Sequence, residues 1–502
     1  MFLGLDVGTG GTRALLIDDS GRVVASAVAD HAPFASPRSG WAEQHPDDWW
    51  RAAREAIRGV LAKDVCEPGS IRAVGLSGQM HGAVLLDEAD RVIRPAIIWC
   101  DQRTHAECRW LTEQVGPARL IELTCNPALT GFTLPKLLWM REHERDGWHR
   151  IRSVLLPKDY VRLALTGDRA TDVADASGTL MFDVAHRRWS RAMLELSEID
   201  ERWLPSAHEG PEVTGRVRPE AAAATGLATG TPVVAGGGDQ AAGAVGMGIV
   251  RPGSVSATIG TSGVVFAATD RPALDPGGRV HTFCHAVPER WHVMGVTQAA
   301  GLSLRWFRDR IDAGRDADDE VGDPYDRLTQ EALRAPPGSD GVLWAPYLMG
   351  ERTPHLDPYA RAALVGLSAS HTRAHVIRAI LEGVAFSLRD SLSILQEMGV
   401  PVESIRLGGG GTRSGLWQQI QSDVYGQTVE LLTTEEGAAY GAALLAAVGA
   451  GRWGSVDEAC DRALRVASRV EPDPDVVERM HLQYARYRAV YPALARIASA
   501  QP

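Results

Sequence analysis

Val7-Gly8-Thr9-Gly10-Gly11-Thr12-Arg13 is the stretch from which the fold can be read, because of what flanks it. Phe2-Leu3-Gly4-Leu5 before it and Ala14-Leu15-Leu16-Ile17 after it are short apolar runs. A turn at Asp18-Asp19-Ser20-Gly21 then leads to a third run, Val23-Val24-Ala25. Two such runs around a glycine-rich turn predict a β-hairpin, and the next turn adds an antiparallel strand. Glycines in the turn admit positive φ and let successive backbone N–H groups approach phosphate oxygens. Asp6, closing the first run, cannot bind phosphate itself. Its carboxylate does suit the Mg²⁺ that travels with phosphates, a cation that takes oxygen ligands and keeps several waters. A plain hairpin whose Asp caps the turn accounts for this stretch equally well.

Repetition breaks the tie. Val255-Ser256-Ala257-Thr258-Ile259-Gly260-Thr261-Ser262-Gly263-Val264-Val265-Phe266 has the same strand–turn–strand pattern, and from Gly8 to Gly260 the interval is 252 residues in a chain of 502. That period predicts two domains of one architecture facing each other. Thr258 stands where the first copy has Asp6. Only the first loop therefore brings a carboxylate; the second offers phosphate hydroxyls and amides.

Composition is that of a soluble globular protein, 45% hydrophobic and 23% charged. A formal net charge of -11 argues against nucleic acid or an anionic membrane as a partner. Cys66, Cys100, Cys108, Cys125, Cys284 and Cys460 are scattered without a C-x-x-C pair, which predicts free thiols in a reducing compartment. No basic, apolar leader precedes Asp6 and no 18-residue apolar run occurs, so the expected location is cytoplasmic. The Ala- and Gly-rich segment 437–451 reads as a buried helix. Pro46-Asp47-Asp48 starts a helix carrying Trp50, Ala53, Ile57, Val60 and Leu61 at helical spacing. The Asp- and Gly-rich stretch 313–326 reads as an exposed insertion without a chemical role.

Strands that empty into polar, glycine-flanked segments are where open α/β sheets place ligands. Ile71 to Leu76 leads into Ser77-Gly78-Gln79-Met80-His81-Gly82, and Ala96 to Trp99 into Cys100-Asp101-Gln102-Arg103. Thr231 to Ala235 leads into Gly236-Gly237-Gly238-Asp239-Gln240 and a helix, where the helix dipole helps keep Asp239 ionised; its bland role is that of an N-cap. The chain divides near here, at Arg251-Pro252-Gly253, into domains 1–245 and 246–502. Ser404 to Leu407 leads into Gly408-Gly409-Gly410-Gly411-Thr412-Arg413-Ser414, and four glycines before a helix suit the α-phosphate or nucleoside of a nucleotide. Arg13 and Arg413 stand where a dinucleotide fingerprint needs its last glycine, and neither a P-loop nor a G-x-S-x-G elbow is present. His281, Cys284, His285 and His292 invite a metal reading, but the alternation from Val280 to Val293 predicts a hairpin turning at Pro288-Glu289-Arg290 that spreads these side chains over both faces.

These motifs, together with Gly40-Trp41-Ala42-Glu43-Gln44, Gly131-Phe132-Thr133-Leu134-Pro135-Lys136, Leu156-Pro157-Lys158-Asp159-Tyr160 and Gly350-Glu351-Arg352-Thr353-Pro354-His355, occur in the order found in the FGGY carbohydrate kinases, which the chain resembles over nearly its whole length. Within the family the likeness is to the xylulose-phosphorylating branch, and it leans on Gln79-Met80-His81-Gly82. The resemblance implies an α/β fold of two ribonuclease H-like domains, of the actin and hexokinase type, with ATP and sugar in the cleft between them. It implies that Asp239 is the general base on the sugar hydroxyl and that Met80 and His81 touch the sugar, with Gln79, Asp101 and Gln240 as further sugar contacts. Asp6, with Asp239, would serve Mg²⁺ directly or through water. Gly8, Thr9, Gly11, Thr12 and Arg13 in the first loop, Gly260, Thr261 and Ser262 in the second, and Gly409, Gly410, Gly411 and Ser414 would hold the nucleotide. Gln240 and Cys100 stand where some members of that branch carry Asn. The implied reaction is ATP-dependent phosphorylation of D-xylulose at its 5-hydroxyl. Another ketose or polyol such as ribulose or glycerol is the alternative acceptor, and a non-catalytic actin-like nucleotide switch the alternative of another class. A homodimer is what the family suggests.

Overall fold

The structure is a computed structural model that describes residues 1–312, 323–433 and 436–498; residues 313–322 of the expected insertion lie outside it. Its first sheet contains β1 (Phe2–Val7), β2 (Gly11–Ile17), β3 (Val23–Asp30), β4 (Ala73–Gly78), β5 (Val213–Arg216), β6 (Pro232–Val234) and the short β7 (Gly237–Gly238). Helix α1 (Pro46–Leu61) covers β2 and β3, α2 (Val173–Ser177) packs near β7, and α3 (Asp239–Gly246) follows β7 directly. The second sheet contains β8 (Gly253–Ile259), β9 (Gly263–Thr269), β10 (His281–Cys284), β11 (Trp291–Thr297), β12 (Val402–Gly408), β13 (Val429–Leu432) and β14 (Val466–Val470). Long helix α4 (Arg373–Glu397) packs on it, α5 (Gly415–Tyr425) follows β12, and α6 (Gly437–Gly449) follows β13.

The repeat is one of topology as well as of sequence. Strand order in the first sheet is β5-β6-β4-β1-β2-β3, with β7 beside β4. In the second it is β10-β11-β9-β8-β12-β13-β14. In each sheet the first two strands form an antiparallel hairpin, the first strand runs parallel to the strand on its other side, and the next one out is also parallel. Asp6 pairs with Ser77, and Thr258 pairs with Gly408, so the two positions equated from sequence occupy equivalent places in the two sheets.

Local chemistry explains the elements. In α1 the His45 side chain accepts from the Asp47 N–H, Pro46 opens the helix, and two acidic residues occupy its first turn. Ala53, Ile57 and Val60 are buried as the sequence predicts, but Trp49 rather than Trp50 is the tryptophan that is fully enclosed, and Ala52 and Ala56 join the buried face. The hairpin expected around 288–290 is β10–β11. No helix among the described residues is long and apolar enough to cross a membrane, and 437–449 is the buried helix α6.

Helix α6 comes from the second half of the chain yet lies against β1 and β4 of the first sheet and against α3. Glycines permit that approach. A Cβ on Gly75 would stand 1.9 Å from the Ala442 carbonyl oxygen, one on Gly4 1.9 Å from that of Ala439, and one on Gly441 1.8 Å from that of Ala242. Backbone on both sides leaves nothing flexible to yield. Gly75→Val is therefore expected to cost about 3 kcal/mol or more by overpacking and to lower the midpoint of thermal unfolding by several degrees; an unchanged melt would mean that α6 does not bear on β4 in solution.

Candidate active site

Adjacent strands deliver two carboxylates to one sheet edge. Asp6 on β1 is opposite Ser77 on β4, Ser77 is opposite Gly237 on β7, and Asp239 follows as the first residue of α3, with Gly238 in the N-cap position that Asp239 could have held. Burial raises the pKa of both. For Asp239 burial acts first and the charge of Asp6 second, pushing it up to about 7 against hydrogen bonds from Gln240. For Asp6 burial outweighs Ser77 and Arg13, which act the other way. Oδ1 of Asp6 is buried without a hydrogen-bond partner.

Asp239 opens onto a cavity of about 400 Å³ whose walls come from both lobes: Asp239 and Gln240 on one side, Gly260, Ser262, Gly409 and Glu436 on the other. Gly260 also borders a second cavity of about 220 Å³, lined by Thr261, Gly410, Gly411 and Ser414. The second loop is thus the partition between a space that holds the carboxylate and a space with room for part of a nucleotide. The glycines after β12 answer the neighbouring strand as much as a ligand. A Cβ on Gly409 would meet the Ile259 carbonyl at 2.6 Å and one on Gly411 the Ile259 side chain at 2.8 Å, while Gly410 has room for one.

In the first loop the Gly8 N–H donates to the Gly11 carbonyl at 3.0 Å. Thr9 accepts from Trp99 Nε1 at 2.9 Å, and Gln44 Nε2 donates to the Thr9 carbonyl at 2.7 Å. Thr12 is turned inward, its buried hydroxyl bonded to His31 Nε2 at 2.9 Å, so only its main chain faces the loop. Arg13 donates to Glu436 at the start of α6.

His81 adopts a left-handed φ of 69°, a strained conformation for a side-chain-bearing residue. Its Nδ1 lies 2.7 Å from the Gly178 carbonyl. A carbonyl only accepts, so Nδ1 carries the hydrogen and Nε2 is left as an acceptor. Burial, reinforced by the nearby Lys136 charge, holds the ring neutral, with its pKa down to about 3. Met80 packs where a Cβ on Gly238 would stand, which brings the Met80–His81 segment beside Asp239.

Two residues expected at the sugar are bonded to protein. Gln79 is buried beneath the first loop, donating to the Gly8 carbonyl at 3.2 Å and to Gln44 Oε1 at 2.9 Å. Asp101 is fully buried and commits both oxygens, Oδ2 accepting from the Ala42 N–H at 2.6 Å and from Arg103 Nη2 at 2.7 Å, and Oδ1 from the Arg103 N–H at 2.9 Å. Gln79 thus braces the first loop, and Asp101 braces the segment at Ala42. Other residues escaped the sequence reading. Lys136, one of only three lysines, is buried and donates to the carbonyls of His81 (2.8 Å) and Gly131 (2.6 Å); burial draws its pKa down to about 7. Glu436 gave no signal at all, since its partner is 423 positions away. The histidines of the β10–β11 hairpin form no metal site: among the described residues no group of three or more His, Cys, Asp or Glu could hold an ion. Cys284 Sγ instead bonds the Val184 carbonyl, and His285 Nε2 the Ile249 carbonyl.

Fold and cavity define a two-lobed α/β protein of the ribonuclease H-like type, with its acidic residue at the seam of the lobes. The chain belongs to the FGGY family of carbohydrate kinases: the family's N-terminal domain matches residues 1–246 and its C-terminal domain residues 255–450. It is 41% identical to the xylulose kinase of Escherichia coli over 90% of both chains, and 37% identical to that of Bacillus subtilis over 97% of this chain and 96% of the other. Among solved structures, xylulose kinase from Rhodospirillum rubrum superposes with a TM-score of 0.90 at 32% identity, covering 99% of each chain.

Proposed function

We propose that this protein transfers the γ-phosphoryl group of ATP to the 5-hydroxyl of D-xylulose. The observation that carries the proposal is the cavity shared by the lobes, in which Asp239, poised near neutrality, faces the glycine-rich loop at Gly260–Ser262. The full-length likeness to xylulose kinases supports the choice of acceptor. Phosphoryl transfer through a loose transition state asks the protein for in-line positioning and charge stabilisation more than for covalent chemistry. Asp239 accepts the proton of the sugar hydroxyl as its oxygen bonds to phosphorus, and the bond to the ADP oxygen breaks with its electron pair leaving on ADP. His81 Nε2, an acceptor by virtue of its tautomer, takes a hydrogen bond from a sugar hydroxyl, and Gln240 stands beside Asp239 for another. Such a site rejects analogues lacking those hydroxyls, since its polar groups would be left unpaired. Amides of the two loops face the phosphates.

Asp6 fits Mg²⁺: its Oδ1 is enclosed and unpartnered, and Mg²⁺ accompanying phosphates needs only one or two carboxylates, directly or through water, from Asp6 and Asp239. Bound there, the ion would neutralise charge on the phosphates. Asp6→Ala is expected to raise the Mg²⁺ concentration for half-maximal rate by tenfold or more; an unchanged dependence would refute the assignment.

Purified protein with Mg·ATP and a panel of D-xylulose, D-ribulose and glycerol, followed by ADP release, tests the acceptor. D-xylulose should give the highest kcat/KM. Preference for another member of the panel would overturn the choice of sugar, and nucleotide binding without any sugar-stimulated ADP release would overturn the kinase reading.

A further inference from the structure

The ladder places Arg13 directly opposite Asp6 on neighbouring antiparallel strands, so the two side chains share a face and lie within reach of each other. An arginine beside a half-enclosed carboxylate ordinarily closes on it, because a charge-assisted pair is strong where water is scarce. Here it does not. Oδ1 of Asp6 has no partner, and the Arg13 guanidinium donates instead to Glu436 on the other lobe. Arg13 Nε is itself buried without a partner, so Glu436 is the one carboxylate that anchors the guanidinium among the described residues. Glu436 stands at the N-cap of α6, the helix seated on the first sheet, and borders the cavity that contains Asp239.

We propose that Glu436 is a positioning residue that draws Arg13 off Asp6, leaving the Asp6 carboxylate free for the divalent cation that accompanies the nucleotide. Three groups are in competition: one cation and two carboxylates on opposite lobes. With Glu436 present, the guanidinium bridges the lobes. Without its charge, the anion left facing Arg13 is Asp6, and a guanidinium on Asp6 excludes the metal. The role rests on the assignment of Asp6 made above.

Mn²⁺, whose free and bound forms differ in electron paramagnetic resonance, is titrated into the purified full-length protein with saturating ADP. Glu436→Gln is expected to weaken Mn²⁺ binding by about tenfold, in line with the loss of one charge-assisted hydrogen bond. The double variant Arg13→Ala/Glu436→Gln should bind Mn²⁺ within about twofold of the parent, a recovery that a merely structural role for Glu436 would not produce. Unchanged affinity in Glu436→Gln, or a double variant no better than that single one, overturns the proposal. Asp6→Asn separates the two layers: if it leaves Mn²⁺ affinity untouched, the metal assignment falls and this role with it. If it abolishes binding while Glu436→Gln has no effect, only the role of Glu436 falls.

Discussion

Replacing Asp239 with asparagine is expected to lower kcat by about a thousandfold, within the range of 10²–10⁴ typical of a general base, while ADP and ATP bind as before. The amide keeps the shape of the cleft wall but cannot take a proton. Its pH behaviour follows from the cause of the raised pKa. Burial and the Asp6 charge place Asp239 at about 7, and the base works only when ionised, so kcat/KM should fall about tenfold per unit below pH 7 and level off above it. The profile of kcat, which reports the loaded enzyme, should fall off at a lower pH, because a cation on Asp6 removes one of the two causes. The asparagine variant should lose this acid limb. Stability moves in the opposite sense to activity. A carboxyl whose pKa is raised in the folded state binds its proton more tightly there than in the unfolded chain, so the ionised form costs stability above pH 7, and Asp239→Asn should melt higher than the parent at pH 8. Turnover within tenfold of the parent, or an acid limb that persists in the variant, would remove Asp239 from its role.

Much of this architecture is legible in sequence because local rules decide it. The hairpins around Gly8 and Gly260 announce themselves by glycine and by flanking apolar runs, and their recurrence after half a chain length suffices to predict two like lobes with one carboxylate between them. What sequence does not give is side-chain direction. Gln79 is bonded to Gly8 of the first loop and Asp101 to Ala42 and Arg103, and nothing in their spacing distinguishes a group facing ligand from one facing protein. Glycine is ambiguous for the same reason. In Gly408–Gly411 it suggests a ligand, yet at Gly409 and Gly411 the close neighbour is Ile259. What sequence cannot supply is pairing across the lobes. α6 reads as a buried helix, but only the fold reveals that it is buried on the other lobe's sheet and that its N-cap residue holds Arg13.

Lys158→Met should destabilise the fold by about 3–5 kcal/mol, the cost of stripping the counter-ion from a buried charge cluster. Lys158 is fully enclosed, with Nζ 2.6 Å from Asp159, 2.7 Å from Asp172 and 3.2 Å from Asp175. Arg162, also enclosed, adds a second cation 3.6 Å from Asp159. Three carboxyls thus face two cations. Burial, helped by the charges of Asp172 and Asp159, lifts the pKa of Asp175 well above the usual carboxylate range against the opposing charge of Lys158. Removing the lysine takes away the charge that lowers the Asp175 pKa, which therefore rises further. Its folded-state pKa exceeds the unfolded one, and the variant should gain stability as pH falls from 8 toward 5. Lys158→Met/Asp175→Leu should recover part of the loss by deleting one of the stranded acids. The network also reaches His81. Asp172 caps α2 by accepting from the Asp175 N–H at 2.9 Å, and the Gly178 carbonyl just beyond α2 fixes the tautomer of His81 at 2.7 Å. A folded Lys158→Met enzyme should therefore show a higher KM for the sugar with KM for ATP little changed. Thermal melts at the two pH values and steady-state kinetics test both halves; a variant that melts with the parent and binds sugar equally well would show the buried cluster to be inert.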